Sequence, residues 1–394
     1  VADDHFDIVV IGAGIHGAGV AQAAAAGGYS VLVLEQEGIA SATSSRSSKL
    51  IHGGLRYLET GQFTLVHECL RERDLLLKLA PDLVRLSPFY IPVYRDTTRR
   101  PWQLRFGLGL YAAFVGFGRD SRFSSLPRRG WGELDGLETG GLQRVFQYRD
   151  AQADDAALTR AVMRSAQTLG ARLLVPATFK AGELRERDCV IDYAHNGRRH
   201  RCTAGVLVNA AGPWVSRILQ CMTPRVVGPA LDLIQGTHVV IDGKLSRGVY
   251  YMEAPRDRRA VFAMPWHGKI LVGTTETPFE GDPAEVGPRP EEQDYLLETL
   301  GHYFPAYRGK DRVQVLEAFA GLRVLPAGKG RAFRRPRETV LYTDRLPRPR
   351  MLTVYGGKLT VYRSTAQKII KRLKESLPQR HAVASTRDLP LPAA

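Results

Sequence analysis

Two unbroken apolar runs open the chain, Ile8-Val9-Val10-Ile11 and Val31-Leu32-Val33-Leu34. Runs of this length without alternation predict parallel strands buried on both faces. The alanine-rich stretch at 18–26 predicts the helix between them. The strand pattern returns at 206–208 and 351–355. From residue 63, Leu65, Cys69, Leu70, Leu76, Leu77 and Leu79 form the apolar face of a helix, with Glu68, Arg71, Glu72, Arg73 and Asp74 on the charged one. Residues 154–170 predict a helix capped by Asp154 or Asp155, apolar at Leu158, Val162 and Leu169 and ended by Gly170. A last helix repeats its apolar face at Tyr362, Ala366, Ile369, Ile370, Leu373 and Leu377. Between 226 and 342 the texture changes to short strands at 237–241, 249–252, 260–264 and 269–274, with one helix at 291–303, which predicts an antiparallel sheet. Segments 188–193 and 200–204 predict a polar hairpin, 89–94 a strand, and 119–142 a loop. The polar, proline-bearing tail after Pro378 is expected to be poorly ordered.

Chemistry-bearing residues cluster where strands end. Gly12, Gly14 and Gly17 follow the first strand at the G-x-G-x-x-G spacing. The first serves a tight turn, the second admits a pyrophosphate to the backbone, and the third lets helix and sheet pack closely. Glu35 closes the second strand, where a carboxylate accepts hydrogen bonds from a ribose diol. This unit predicts a dinucleotide, FAD or NAD. Hydroxyl residues crowd 41–48, followed by Lys49, His52, Gly53-Gly54, Arg56 and Tyr57. Such density of serine and glycine forms no regular element by propensity and suits backbone laid against a flat cofactor. Asn209-Ala210-Ala211-Gly212 ends the third strand, and Gly356-Gly357-Lys358-Leu359-Thr360 joins the fourth to the last helix. Amides at that helix start carry about half a positive charge.

Composition narrows the partners. With 394 residues, 44% hydrophobic and 24% charged, the chain is an ordinary globular sequence long enough for about two domains. The net charge of +15 admits an anionic substrate, an anionic membrane surface or a polyanion. Nucleic acid is not expected, because the positive charge is spread along the chain and no aromatic-plus-basic motif accompanies it. Cys69, Cys189, Cys202 and Cys221 contain no C-x-x-C pair, which argues against a metal site and for a reducing, cytoplasmic compartment. No signal peptide is expected ahead of the first strand. No apolar run reaches the roughly 18 residues of a membrane span. The nearest, FGLGLYAAFVGFG at 106–118, predicts a buried helix or loop, with contact to a membrane surface as the other reading.

SSKLIHGGLRYLE at 47–59, NAAGPWV at 209–215 and YGGKLTVYR at 355–363 add specificity to the glycine fingerprint. In order and wording they resemble FAD-dependent glycerol-3-phosphate dehydrogenases, within the wider D-amino-acid-oxidase-like flavoproteins, over residues 7 to about 373. The resemblance implies an α/β fold in which a Rossmann-like FAD-binding domain (1–80, 145–225, 345–378) is interleaved with an antiparallel-sheet α+β substrate domain (81–144, 226–344), followed by a tail at 379–394. It implies FAD as cofactor and oxidation of sn-glycerol 3-phosphate at C2 to dihydroxyacetone phosphate. Electrons would pass to flavin N5 and on to a quinone or oxygen.

By the same resemblance His238, Arg323 and His52 are candidate catalytic residues, and Arg56, Tyr57, Arg337 and Lys358 hold the substrate. The cofactor would be held by Gly12, Gly14, Gly17, Glu35, Thr43, Ser44, Ser47, Lys49, Leu50, His52, Gly53, Gly54, Ala211, Gly212, Gly356, Gly357, Lys358, Leu359 and Thr360. No metal is implied. Members commonly continue into a C-terminal helical domain, which is expected to be missing here, and this leaves oligomeric state and membrane docking unassigned. His16 stands where relatives often carry Asn and is expected to be neutral for catalysis. The expected location is cytoplasmic, with peripheral contact at the inner face of the cytoplasmic membrane allowed. The rival readings are an amine, amino-acid or 2-hydroxyacid oxidase of the same fold, and a non-catalytic flavin-binding protein associated with nucleic acid.

Overall fold

The apolar runs lie side by side as strands, and their alternate residues face two different cores. In the computed structural model, which describes residues 4–59, 61–115, 123–309, 313–328 and 339–393, nine strands make the first sheet. They are β1 (Asp4–Ile11), β2 (Val31–Leu34), β7 (Arg172–Leu174), β8 (Ala177–Leu184), β9 (Cys189–His195), β10 (Arg198–Asn209), β11 (Met222–Thr223), β18 (Val340–Thr343) and β19 (Met351–Tyr355). β1 runs parallel to β2 and β10, and β10 parallel to β19. The predicted hairpin forms as antiparallel β9 and the first half of β10, extended by β8. Ile8, Val10, Val31, Val33, Val206, Val208, Leu352 and Val354 face one core, and Val9, Ile11, Leu32, Leu34 and Leu207 face the other. This is the period of two expected of strands. Full burial of each such side chain is worth about 1.5–3 kcal/mol.

Helices α1 (Ile15–Ala26), α5 (Asp155–Thr168) and α8 (Tyr362–Leu373) cover the first of these cores. α1 is buried along almost its whole length, which is why its sequence shows no polar face. Asp154 caps α5 by accepting from the Ala157 N–H at 2.8 Å, leaving Asp155 for another task.

The second sheet has ten strands among the described residues. They are β3 (Leu50–Ile51), β4 (Val84–Tyr94), β5 (Ser124–Ser125), β6 (Leu142–Ala153), β12 (Leu231–Ile241), β13 (Val249–Glu253), β14 (Ala260–Trp266), β15 (Lys269–Gly273), β16 (Thr277–Phe279) and β17 (Val315–Pro326). Pairing is antiparallel except between β13 and β4. Helix α7 (Pro290–Tyr303) packs on one face of this sheet; α2 (Arg56–Glu59), α3 (Phe63–Leu79) and α4 (Pro101–Val115) lie against the other. The short α6 (Val215–Gln220) follows β10. No helix among the described residues is long and apolar enough to cross a membrane.

Sheet membership departs from the expected segments. The boundary at 144/145 falls inside β6, β3 also joins the second sheet, and β18 joins the first. β6 pairs along its length with β4, and hydropathy texture does not register such a partner. Segment 106–118 forms part of α4 as far as residue 115, with Tyr111 buried but Phe106 on the surface. Segment 119–142, expected as loop, contains β5 and a 3₁₀ turn at Arg128–Glu133 within its described part.

The tail is a correction of another kind. Val383 and Ala384 donate their N–H groups to the Ala26 carbonyl at 2.8 and 3.1 Å, satisfying a C-terminal carbonyl of α1. Leu391 is buried and bonds to the Leu79 carbonyl at 2.7 Å. Arg380 pairs with Asp7 at 3.2 Å, and Arg363 holds the Thr386 hydroxyl at 3.1 Å while forking onto buried Glu72. One leucine and a few tertiary partners order a stretch whose composition reads as coil.

These ion pairs differ in burial, and so in consequence. Arg363→Ala strands the Glu72 carboxylate and is expected to cost about 3–5 kcal/mol. Arg380→Ala removes a half-exposed partner and is expected to cost less than about 1 kcal/mol. Chemical denaturation of the two variants measures both.

Candidate functional site

β1, α1 and the end of β10 meet with almost no side chain between them. Gly12 has φ +97°, and a Cβ there would stand 2.8 Å from the Ala210 carbonyl oxygen. A Cβ on Gly17 would overlap the Gly12 carbonyl oxygen. Gly14 ends the turn as the N-cap of α1. The Ile15 N–H donates to the Ser44 hydroxyl at 2.9 Å, which brings the 41–48 loop onto the helix start. Glu35 is buried at the end of β2, its Oε2 accepting from the Ala13 N–H at 2.7 Å and its Oε1 from the Glu37 N–H at 2.9 Å. The first carboxylate beyond the glycine turn is thus fixed in orientation.

From this turn a cavity of about 400 Å³ runs between the two sheets. It is lined by Gly12, Gly14, Glu35, Thr43, Ser44, Ser47, Ala211 and Gly212. Leu50, His52, Gly54, Tyr57, His238, Arg323, Gly356, Gly357, Lys358, Leu359 and Thr360 line it as well. The fold therefore gathers residues spread over more than 300 positions into one space.

Three of the expected residues stand behind the wall. Gly17 serves packing alone. Gly53 lies against α4, where its N–H donates to the buried Tyr111 hydroxyl at 2.9 Å. Lys49 is turned away: its ammonium donates to Asp155 at 2.6 Å and to the Ser45 carbonyl at 2.5 Å. Asp155 also accepts from the Ser47 N–H at 2.9 Å, so this buried pair anchors the hydroxyl-rich loop. A lysine needs a counter-ion when buried, and nothing local in the sequence reveals that Asp155 supplies it. Arg337 and the side chain of Arg56 lie outside the described residues.

His238 is buried against Phe319, ring centroids 5.1 Å apart and nearly parallel. Its Nε2 is 2.9 Å from the Ser48 hydroxyl. Burial first, then the nearby Arg323 and Lys49 charges, hold this imidazole well below the usual histidine range. His52 also lines the cavity, its ring edge-on to Phe262 at 6.4 Å and its backbone N–H donating to the Thr360 hydroxyl at 3.2 Å. Lys358 Nζ lies 4.4 Å from the centre of the Tyr57 ring and 3.5 Å from the His52 carbonyl. Arg323 Nη2 donates to the Thr274 hydroxyl at 3.2 Å. Gly357 has φ +99°, and a Cβ there would overlap the His16 ring. Burial pushes His16 down to about 4.

Ser48, Arg46, Arg259 and Glu276 also line the cavity; the first two lie in the hydroxyl-rich stretch but are not among the expected site residues, and the last two lie in no motif. Arg259 closes an arginine-rich run, 256–259, that reads as solvated surface, and Glu276 follows two threonines. The pairing of β14 with β15, and of β15 with β12, sets where these two residues stand.

The residues present fit FAD. The side-chain-free turn at Gly12 and Gly14 opens to the cavity, the acid follows at the end of β2, and Gly356 and Gly357 line it too. The family described as FAD dependent oxidoreductase matches residues 7–363. The chain is 34% identical to D-erythritol 1-phosphate dehydrogenase of Brucella abortus over 98% of its own length and 77% of that protein's. It is 35% identical to glycerol-3-phosphate dehydrogenase of Pseudomonas aeruginosa, covering 94% of this chain and 72% of the relative. The structure of glycerol-3-phosphate dehydrogenase from Bacillus halodurans complexed with FAD superposes with a TM-score of 0.77 at 27% identity, over 98% of this chain and 68% of that one.

Gly17→Ala forces the Gly12 turn apart, and the purified variant is expected to lose bound FAD, read as absent visible absorbance. A second expectation concerns acid. His16 and His238 are held neutral when folded but take protons near pH ~6.5 when unfolded. Their contribution to stability is therefore complete above about 6.5 and is lost as pH falls, for His16 down to about 4. Denaturation midpoints should drop over that window, and His16→Asn should flatten the slope.

Proposed function

The chain belongs to the FAD dependent oxidoreductase family, and on that premise we propose that it oxidises the C2 hydroxyl of sn-glycerol 3-phosphate to dihydroxyacetone phosphate. FAD is its cofactor and, when bound, supplies the two-electron acceptor. A quinone or oxygen takes the electrons onward. The observation that carries the reading is the charge of the cavity wall. Setting aside Glu35, which would meet the FAD ribose, the charged residues lining the cavity among those described are Arg46, Arg259, Arg323 and Lys358 with one carboxylate, Glu276. This cationic excess suits a phosphate monoester, which carries about −1.5 to −2 at neutral pH, beside an FAD pyrophosphate held at the start of α1. A zwitterionic amino acid or a monocarboxylic 2-hydroxyacid brings at most one net negative charge and offers fewer acceptor oxygens to these cations.

The chain's own groups divide the work. Arg323, steadied by Thr274, offers a planar fork suited to phosphate oxygens or to a developing alkoxide. Lys358 adds a cation beside the Tyr57 ring. Two imidazoles compete to take the hydroxyl proton. His238 is buried, and Arg323 and Lys49 oppose any added positive charge on it. His52 is half-buried at the cavity and is assigned the hydroxyl proton here. His238 then acts through Ser48, orienting that hydroxyl towards the substrate.

A four-carbon alditol phosphate is the second reading, favoured by the similarity to D-erythritol 1-phosphate dehydrogenase across nearly the whole chain.

An anaerobic screen of the flavin spectrum tests the reading. Glycerol 3-phosphate, or the four-carbon phosphate, is expected to bleach the flavin, while amino acids and 2-hydroxyacids leave it oxidised. Bleaching by amino acids alone would reject the proposal. Arg323→Ala should abolish turnover with FAD retained. His52→Gln should slow flavin reduction by about 10²–10⁴-fold.

A further inference from the structure

Two guanidiniums bracket one carboxylate in the cavity wall. Arg259 Nη2 lies 3.4 Å from Glu276 Oε2, and Arg323 Nη1 lies 3.4 Å from Glu276 Oε1. Each arginine also has a second hold on the same short segment. Arg259 Nη1 donates to the Glu276 carbonyl at 3.3 Å, and Arg323 Nη2 to the Thr274 hydroxyl at 3.2 Å. The three residues come from separate places in the second sheet: Arg259 precedes β14, Glu276 follows β15, and Arg323 lies on β17. All three line the cavity, and the Glu276 side chain is only 4% exposed. On the neighbouring strand β12, a Cβ at Gly236 would stand 2.6 Å from the Thr274 hydroxyl and 2.8 Å from Arg323 Nη2. That glycine leaves room for the guanidinium to lie across the strand.

A carboxylate in this wall works against binding a dianion, so on affinity alone it is misplaced. Its contacts supply the reason. An arginine side chain has many rotamers to lose, and a fork that must meet phosphate oxygens in one plane benefits from being fixed beforehand. Two neighbouring guanidiniums also repel each other unless a negative charge stands between them. We propose that Glu276, held in turn by Arg259, is a positioning residue for Arg323: it sets the plane of the Arg323 fork facing the substrate phosphate. This rests on the reading of Arg323 as a substrate-contact residue.

The coupling is measured in FAD-loaded protein by calorimetric binding of dihydroxyacetone phosphate, with anaerobic flavin reduction by glycerol 3-phosphate alongside. Glu276→Gln keeps the side-chain size and removes the charge. It is expected to weaken binding about tenfold in the parent and by less than about twofold in an Arg323→Ala background, because residues that act as one unit are non-additive. Glu276→Asp is expected to restore binding to within about threefold of the parent, the charge being what steers Arg323. Where Glu276→Gln fails to retain FAD, Arg259→Gln loosens the same carboxylate and is read in the same cycle. An equal loss in both backgrounds, or no loss in the parent, overturns the positioning role while leaving the substrate reading intact. Unchanged binding in Arg323→Ala alone overturns the substrate role of Arg323 and the positioning role with it.

Discussion

Backbone meets backbone at Gly12, Gly17 and Ala210, and the site depends on that contact. A side chain at Gly12 or Gly17 would collide with a carbonyl oxygen rather than with a movable side chain. The strand-turn-helix unit and the end of β10 are therefore locked at one separation. This lock sets the N-terminus of α1 at the cavity. It also puts the Ala13 N–H within 2.7 Å of Glu35, so that the acid on the next strand is aimed by the turn itself. A flat or elongated ligand can lie here because no side chain fills the space.

The second consequence is a seam. The hydroxyl-rich loop at 41–48 belongs to neither sheet, and its short side chains and amides bond to both halves of the molecule. Ser44 meets α1, and Ser47 with Lys49 meets Asp155 at the start of α5. Thr43 and Arg46 reach the β17 carbonyls of Leu322 and Ala320, and Ser48 meets His238 on β12. Small hydroxyl residues suit this work because each satisfies a partner without filling the cavity. The loop thereby presents the cationic wall of the second sheet to the cavity floor of the first.

Much of this is legible in the sequence. The unbroken apolar runs marked parallel strands because burial on both faces suppresses alternation. The glycine spacing marked the turn because only glycine tolerates those approaches. What escaped was long-range. The Lys49–Asp155 pair spans 106 positions, and no local pattern turns that ammonium away from the cavity. Arg259 and Glu276 look like ordinary surface charge until β14, β15 and β17 are placed in register. The tail reads as coil because Leu391, Thr386 and a few backbone donors do the ordering, and their partners lie on α1, α3 and α8. Strand β6 crosses a boundary drawn from texture because its partner, β4, is distant in sequence.

A crystal structure of the FAD-loaded protein with dihydroxyacetone phosphate tests the central claim most directly. The account predicts FAD in the cavity between the sheets, its pyrophosphate at the start of α1, and the sugar phosphate hydrogen-bonded to Arg323. A phosphate bound away from Arg323, or FAD seated outside that cavity, would contradict it.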